Sequence, residues 1–217
     1  MRGFPLVLSA PSGGGKTTIA NALIAAREDV GYSVSATTRA PRPNERDGVD
    51  YHFVSRKEFE RRVAAGEFLE WAEYGGERYG TLKADIESVL ESGRHAVLDI
   101  EIQGARAVKE HYPDAVLVFV VPPSAEELLH RLGGPGGTRG KSLTARLRRA
   151  VLELREAPAY DYVVYNADRT EAVAEVAAIL DAEGKRPRRN PDLLKELSQL
   201  GRDIGALAER LETTKEA

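Results

Sequence analysis

The chain has 217 residues, of which 42% are hydrophobic and 30% are charged, values typical of soluble globular proteins. It contains no cysteine, which excludes disulfide bonds, thiolate catalysis and cysteine-ligated zinc. Its net charge of −3 argues against binding nucleic acid through bulk positive charge. The longest apolar run, residues 115–121, is far shorter than the ~20 residues of a membrane helix, and the N-terminus lacks the apolar core of a signal peptide. We therefore expect a cytoplasmic protein with no nucleic-acid or membrane partner.

Strand-like and helix-like segments alternate along the chain. The apolar runs 96–100 and 115–121 are typical of parallel strands buried on both faces, and a helical pattern follows each of them. This order predicts an α/β fold, a parallel sheet with helices on both faces. The predicted strands are residues 4–10, 32–37, 49–54, 67–79 (a hairpin), 96–100, 115–121 and 161–165. The predicted helices are residues 16–27, 55–65, 81–92, 105–111, 124–132, 142–156 and 170–183.

Two segments differ from this alternation. Residues 34–84 are richer in short strands and turns, so we expect a small mixed insertion on a core formed by residues 1–33 and 85–183. Residues 133–140, GGPGGTRG, predict a mobile loop between two helices.

The C-terminal segment, residues 184–217, is predicted to be a separate element. Residues 184–189 are basic and suggest a linker, and Asn190-Pro191 is a helix start. Gly201 and Gly205 each cost about 1 kcal/mol relative to alanine, so the helix needs a partner surface. Two interpretations remain open: packing on its own domain, or association into a homo-oligomer. The apolar residues spaced as a heptad seam are Leu193, Leu197, Leu200, Ile204, Leu207 and Leu211.

The strongest motif is SAPSGGGKTT, residues 9–18, between the first strand and the first helix. It matches the phosphate-binding pattern G-x-x-x-x-G-K-[ST] except that Ala10 replaces the first glycine. Backbone N–H groups and the helix N-terminus bind phosphate oxygens, Lys16 adds a positive charge, and the Thr17 hydroxyl is placed to ligate Mg²⁺. We predict that nucleotide phosphates bind at Ala10, Pro11, Ser12, Gly13, Gly14, Gly15, Lys16, Thr17 and Thr18.

A second phosphate site is suggested by arginines. Arg39 and Arg42 lie three residues apart beside a proline-stiffened turn. Arg131 lies just before the loop of residues 133–140, Arg139 lies inside that loop, and Arg146 is on the helix that follows it. Phosphoryl transfer uses positioned cations to stabilise the charge on the moving group, and arginine can hold a phosphate through two hydrogen bonds.

Together these features resemble the guanylate kinase family of nucleoside monophosphate kinases. The resemblance covers about residues 4–183 and implies transfer of the γ-phosphate of ATP to GMP with Mg²⁺. It also implies a GMP-binding insertion (residues 34–84) and an arginine-bearing lid (about 125–157). The matching segments are SAPSGGGKTT (9–18), SVSATTRAPRPNERDGVDYHFV (33–54), EFLEWAEYGGERYGT (67–81), LDIEIQGA (98–105), VPPS (121–124) and YNAD (165–168).

The same resemblance implies roles for individual residues. Carboxylates suit guanine because they accept its N1–H and N2–H₂ donors, whereas adenine presents the opposite pattern. Asp99 is also expected to help Thr17 hold Mg²⁺, with a helix-capping role as the alternative. Arg131 and Arg146 are expected to bridge the two nucleotides, and Asn166 to lie beside adenine. The residues implied for the GMP phosphate are Arg39, Arg42, Tyr51 and Tyr79, and those for guanine are Ser35, Glu70, Thr81, Asp99 and Glu101.

The lid departs from the family pattern R-L-x-x-R-G, since Pro135 stands where a second arginine is expected. Either the site works with fewer cations, or Arg139 reaches in, which we favour. Arg139→Ala is then expected to lower kcat far more than it alters GMP binding. Three other functions remain alternatives: a protein-binding module of this fold, which should have a damaged phosphate loop; a P-loop GTPase, which should carry Asn-Lys-x-Asp; and a kinase of another small acceptor.

Overall fold

A computed structural model describes residues 3–134 and 140–215. Within those ranges there are nine strands, which form two sheets, and eight α-helices. The strands are β1 (Pro5–Ser9), β2 (Val30–Tyr32), β3 (Ser35–Thr37), β4 (His52–Phe53), β5 (Phe68–Tyr74), β6 (Glu77–Leu82), β7 (His95–Asp99), β8 (Val116–Val121) and β9 (Tyr162–Tyr165). The helices are α1 (Lys16–Ala26), α2 (Arg56–Ala64), α3 (Lys83–Glu91), α4 (Ile102–His111), α5 (Ala125–Gly133), α6 (Gly140–Leu154), α7 (Arg169–Gly184) and α8 (Pro191–Lys215).

The main sheet has the order β2-β7-β1-β8-β9, and every pair in it is parallel. Helices α1 and α7 pack on one face, around Leu23 and Val176, while α3 and α4 pack on the other, around Ile86 and Val108. Strands β1 and β8 are buried along their whole length because both faces are covered. The predicted α/β fold with a parallel core is confirmed.

The second sheet has the order β4-β3-β6-β5 and mixed pairing. Strands β5 and β6 form the expected hairpin, whose turn needs two glycines because Gly75 and Gly76 both have positive φ, 63° and 84°. Helix α2 covers this sheet, with the Phe59 ring stacked on Phe68 at 4.4 Å between centroids. Ser55 caps α2 by accepting a 3.1 Å hydrogen bond from the Glu58 N–H.

Two strand predictions need correction. Residues 32–37 are not one strand, because the chain leaves the main sheet after Ser33, whose N–H still donates to Val97 O at 3.0 Å, and joins the second sheet at Ser35. The predicted strand 49–54 is reduced to β4, since Val49 and Asp50 both donate to Arg46 O in a turn.

Helices α5 and α6 pack together through Leu128, Leu132 and Ala150. Most of the predicted loop between them, including Pro135 and Arg139, lies outside the described residues. Helix α5 begins at a serine cap, where Ser124 Oγ accepts from the Glu127 N–H at 3.1 Å.

The start of the C-terminal segment is anchored, contrary to the predicted linker. Residues Pro187–Arg189 form a 3₁₀ turn, and the buried Arg189 pairs with the buried Glu183 at 3.0 Å. Its guanidinium also lies 4.0 Å from the centre of the Phe4 ring. The Asn190 side chain then caps α8 by accepting from the Leu193 N–H at 3.2 Å.

Beyond its first turn, α8 does not pack on its own domain. From Leu197 to Leu211, the seam side chains are 52–59% exposed. The interpretation that the seam packs against its own core is therefore wrong for the described residues. No helix described here combines the length and apolarity needed to cross a bilayer.

Candidate active site

The glycine-rich loop of residues 10–15 joins β1 to α1 and has a backbone that other residues would strain. Gly13 and Gly15 have φ of 85° and 94°, and a Cβ on Gly15 would collide with the Asn166 amide. The first residue of α1 is Lys16, and no side chain caps the helix, so its N-terminal amides keep their capacity to bind an anion. The loop therefore has the backbone geometry of a phosphate cradle.

Ala10, the departure from the glycine pattern, is 2% exposed and belongs to the main core. Its methyl group faces Gly14, where an added Cβ would lie 2.7 Å from the Ala10 Cβ. The alanine is thus accommodated because Gly14 leaves room for it.

Lys16 is held by a carboxylate. Its Nζ lies 2.8 Å from Oε1 of Glu101, and Oε2 of Glu101 accepts from Arg149 at 3.0 Å. Glu101 is half-exposed and follows β7, at the same edge of the sheet as the loop. The family resemblance implies a guanine contact for Glu101, whereas in the structure its carboxylate pairs with Lys16.

Asp99, at the end of β7, receives two hydrogen bonds. The Thr17 hydroxyl donates to Oδ2 at 2.5 Å, and the Tyr32 hydroxyl donates to Oδ1 at 2.5 Å. Burial raises the pKa of the Tyr32 hydroxyl, and the Asp99 charge raises it further. Helix α4 begins at Ile102 with Glu101 as its N-cap, so the alternative of Asp99 as a helix cap is wrong.

The donor set around Asp99 fits magnesium. Mg²⁺ takes oxygen ligands, commonly one or two from protein with the rest from phosphates and water. Thr17 Oγ1 and Asp99 Oδ2 supply two adjacent oxygens beside the phosphate loop. Among residues 3–134 and 140–215, no group of three or more acidic or histidine side chains is placed to hold a metal ion.

A cavity of about 550 Å³ separates α1 from the second sheet. Thr17 of the phosphate loop lines one side of it. The four residues predicted to hold the GMP phosphate lie together on the other side. They are Arg39, Arg42, Tyr51 and Tyr79.

Glu45 positions the arginine cluster in that cavity. It accepts two hydrogen bonds from the Arg39 guanidinium, at 2.8 and 3.0 Å, and one from the Arg42 backbone N–H at 2.7 Å. The bond with Arg39 lowers the pKa of the Glu45 carboxyl to about 2, with a smaller contribution from the Arg42 N–H. The Arg39 guanidinium also lies 5.3 Å from the Tyr51 ring centre.

Three residues predicted for guanine form a row across the second sheet. Ser35 pairs with Thr81 between β3 and β6, and Thr81 pairs with Glu70 between β6 and β5. An irregularity between Phe68 and Glu70 sets this register. The Thr81 hydroxyl donates to Glu70 Oε1 at 2.6 Å. The row therefore presents two hydroxyls and a carboxylate from one strip of sheet.

Burial raises the pKa of the Glu70 carboxyl, against the opposing effect of the Thr81 hydrogen bonds. The carboxylate reaches its place because residue 104 has no side chain. A Cβ on Gly104 would lie 3.0 Å from Glu70 Cδ and 3.1 Å from Oε1. A desolvated carboxylate of this kind penalises any base that leaves it unpaired.

Arg131, on α5, approaches the phosphate loop from the side of β9. Its Nη2 donates to Asn166 O at 2.8 Å, and its Nε donates to Glu127 at 2.7 Å. The buried Asn166 side chain in turn donates to Gly14 O at 2.9 Å. Asn166 thus contacts the phosphate loop directly.

Arg146, on α6, approaches the same loop from the other side. Its guanidinium donates to Ser12 Oγ at 3.1 and 2.8 Å. Ser12 N donates to the buried Glu153 at 3.1 Å. Arg139, predicted to join these arginines, lies outside the described residues.

Four residues at this site are not among those predicted from the sequence: Tyr32, Glu45, Arg149 and Glu153. Arg149 and Glu153 follow Arg146 by three and seven residues, so helical periodicity gave a signal that they share its face. Tyr32 closes a strand whose carboxyl end lies beside β7, a place where open α/β sheets bind ligands. Glu45 sits in an irregular turn and had no such signal.

Comparison with known proteins gives consistent results. A family model described as guanylate kinase matches residues 2–183. A guanylate kinase of Symbiobacterium thermophilum is 50% identical over 189 residues, 87% of this chain and 90% of that protein. One of Thermus thermophilus is 46% identical over 209 residues, 96% of this chain and 94% of that protein. The crystal structure of guanylate kinase from Anaplasma phagocytophilum is 38% identical with a TM-score of 0.72, covering 87% of this chain and 89% of that chain.

Proposed function

Because the chain belongs to the guanylate kinase family, we propose that it transfers the γ-phosphate of ATP to GMP, giving ADP and GDP, at the site between its two sheets. One observation carries this assignment. A single cavity of about 550 Å³ is lined by Thr17 of the phosphate loop, by Arg39, which follows β3, and by Tyr79 of β6. A donor phosphate on the loop and an acceptor phosphate on Arg39 would therefore face each other.

ATP is the proposed ligand of the loop of residues 10–18. The loop amides and Lys16 bind its phosphates, and Lys16 exchanges Glu101 for phosphate oxygens when ATP enters. Thr17 and Asp99 would hold Mg²⁺, which when bound offsets negative charge on the phosphates. Arg131 and Arg146 approach the loop from α5 and α6 and would bridge the two nucleotides.

GMP is the proposed ligand of the second sheet. Arg39, Arg42, Tyr51 and Tyr79 hold its phosphate. The row formed by Ser35, Thr81 and Glu70 binds the guanine base. Glu70 accepts from its N1–H and N2–H₂ groups, and a hydroxyl of the row donates to its O6. Residues 34–84 are then the GMP-binding unit, and residues 125–157 are the lid over both substrates.

The reaction needs no general base, because the acceptor is already a phosphate anion. Rate enhancement comes from holding donor and acceptor in line and from fixed cations around the moving group. Closure of the lid would exclude water and so prevent hydrolysis of ATP. Since both substrates are free nucleotides, we keep the expectation of a cytoplasmic enzyme that does not act on nucleic acid.

The acceptor is tested by measuring ADP release from Mg·ATP with GMP, AMP, UMP or dTMP. We expect efficient transfer to GMP alone, because adenine presents an acceptor at N1, and uracil and thymine offer Glu70 one N–H donor where guanine offers two. Equal transfer to AMP would contradict the guanine assignment, and no transfer to any acceptor would contradict the kinase assignment.

The exposed seam on α8 supports a homo-oligomer, and we commit to an antiparallel pair with a second copy. This alignment packs Leu197 against Leu207, and Ile204 against Leu200, of the second copy. It also sets Glu196 opposite the second copy's Arg210, so opposite charges flank the apolar layers.

Light scattering of the full chain tests this pairing. Wild type is expected to be a dimer, and Ile204→Glu a monomer, because each copy would bury a charge in the seam. Ser198→Glu, off the seam on the same helix, should remain dimeric. The alignment also places Asp203 near Asp203 of the second copy. Asp203→Asn removes this repulsion between like charges and should tighten the dimer. A monomeric wild type would contradict the proposal.

A further inference from the structure

Arg149, on α6, joins three parts of the site through one guanidinium group. Its Nη2 donates to Glu101 Oε2 at 3.0 Å, and its Nε donates to Glu153 Oε1 at 2.6 Å. Its Cζ lies 5.2 Å from the centre of the Tyr74 ring on β5. Arg149 therefore connects the lid helix, the edge of the main sheet and the hairpin of the second sheet.

One carboxylate group separates Arg149 from the loop lysine. Lys16 Nζ lies 2.8 Å from Glu101 Oε1, and Arg149 Nη2 lies 3.0 Å from Glu101 Oε2. A phosphate group suits the same pair of cations, because its oxygens accept from ammonium and guanidinium together. A lysine at this position of a phosphate loop binds β- and γ-phosphates. A γ-phosphate that replaces Glu101 on Lys16 would lie within reach of Arg149.

The face of α6 that carries Arg149 is fixed against the loop. Arg146, one turn before it, donates to Ser12 Oγ, and Glu153, one turn after it, accepts from Ser12 N. The Glu153 side chain is 8% exposed, and it holds the Arg149 Nε. Glu153 therefore restricts the conformations of the Arg149 side chain before a ligand binds, so less conformational entropy is lost on binding.

We propose that Arg149 binds the γ-phosphate of ATP, and that Glu101 holds its guanidinium beside Lys16 until the nucleotide enters. This inference rests on the proposed transfer from ATP. Arg149 would then stabilise the negative charge that spreads over the transferred group, together with Lys16 and Arg146.

Binding of Mg·ATP and of Mg·ADP, each without GMP, tests this role by calorimetry. In Arg149→Ala the affinity for ATP should fall about tenfold, because a charged phosphate contact is lost, while the affinity for ADP changes less than twofold. Arg149→Lys should recover part of the ATP affinity, since it keeps the charge but not the two-pronged geometry. Arg148→Ala, on the exposed face of α6, is the matched control and should bind both nucleotides like wild type.

A role in folding or lid packing alone predicts equal losses for ATP and ADP, and this result would overturn the proposal. So would unchanged ATP binding in Arg149→Ala, above all if Arg139→Ala showed the loss instead. GDP formation by wild type is measured alongside. If wild type makes GDP and Arg149→Ala binds ATP normally, only this inference fails; if wild type makes no GDP, the proposed function fails with it.

Discussion

The Thr17 hydroxyl donates a 2.5 Å hydrogen bond to the Asp99 carboxylate, although the two residues are 82 positions apart. The contact forms because β1 and β7 are adjacent parallel strands, with Leu8 opposite Asp99, so both chains turn off the sheet at the same edge. Tyr32 occupies the second Asp99 oxygen. A hydroxyl and a carboxylate oxygen are thereby held ready beside the phosphate loop.

Replacement of Thr17 by valine should raise the Mg²⁺ concentration needed for half-maximal activity. We expect a shift of roughly 10- to 100-fold, the size seen when a partner of a metal site is lost. The measurement is a Mg²⁺ titration of GDP formation at saturating ATP and GMP. Tyr32→Phe, which keeps the ring and leaves Thr17 in place, should shift the titration less. An unchanged Mg²⁺ requirement in Thr17→Val would remove Thr17 from the metal site.

Gly104→Ala should weaken GMP binding without weakening ATP binding. The new Cβ would lie about 3 Å from the Glu70 carboxyl, so either Glu70 or α4 must move. Overpacking of this kind costs about 1–3 kcal/mol, and the same cost on GMP binding would raise the KM for GMP roughly 5- to 160-fold. Steady-state kinetics with each substrate varied in turn provide the measurement. A larger effect on the KM for ATP would contradict the placement of guanine at Glu70.

Glu70 should make GMP binding depend on pH. Burial raises the pKa of this carboxyl, and only its charged form accepts both guanine donors. As pH falls through that raised pKa, the group takes up a proton and the KM for GMP should increase. Glu70→Gln should have a high KM for GMP that is insensitive to pH over the same interval. Parallel pH profiles in the two proteins would show that Glu70 is not the titrating group.

His95 should make folding stability fall on mild acidification. Its ring accepts a hydrogen bond from the Phe4 N–H at 3.3 Å through Nδ1, and burial lowers the pKa of the ring. The contribution of the neutral ring is complete above the unfolded pKa of about 6.5 and is lost as pH falls from there through the lower folded pKa. His95→Asn keeps an acceptor without the titration. From about pH 7.5 to about pH 5, the melting temperature should therefore fall less in His95→Asn than in wild type. An equal fall in the two proteins would contradict the role given to His95.

Local sequence signals predicted much of the fold and part of the site. The glycine loop, the hairpin turn and the start of α8 at Asn190 depend on contacts between near neighbours, so their residue types were informative. The break between Tyr32 and Ser35 was not visible, because a change of sheet leaves the alternation of a strand intact. Helical periodicity placed Arg149 on the face of Arg146 and Glu153, but its contacts with Glu101 and Tyr74 were not visible, because these residues lie 48 and 75 positions away along the sequence.

The exposed state of α8 could not be decided from its pattern. The heptad spacing of apolar residues is the same whether the helix packs on its own domain or on a second chain. The distinction depends on the direction in which the chain leaves the core, which it does just after the buried pair of Glu183 and Arg189.

We propose an arrangement in which the amides of the loop and Lys16 hold the triphosphate of ATP opposite a GMP phosphate bound by Arg39. Its most direct test is GDP formation from Mg·ATP and GMP by wild type and by Lys16→Ala at equal concentration. We expect rapid GDP formation by wild type and a loss of about 100-fold or more in the variant, as for removal of one preorganised group from a charged transition state. A Lys16→Ala protein that forms GDP as fast as wild type would contradict it.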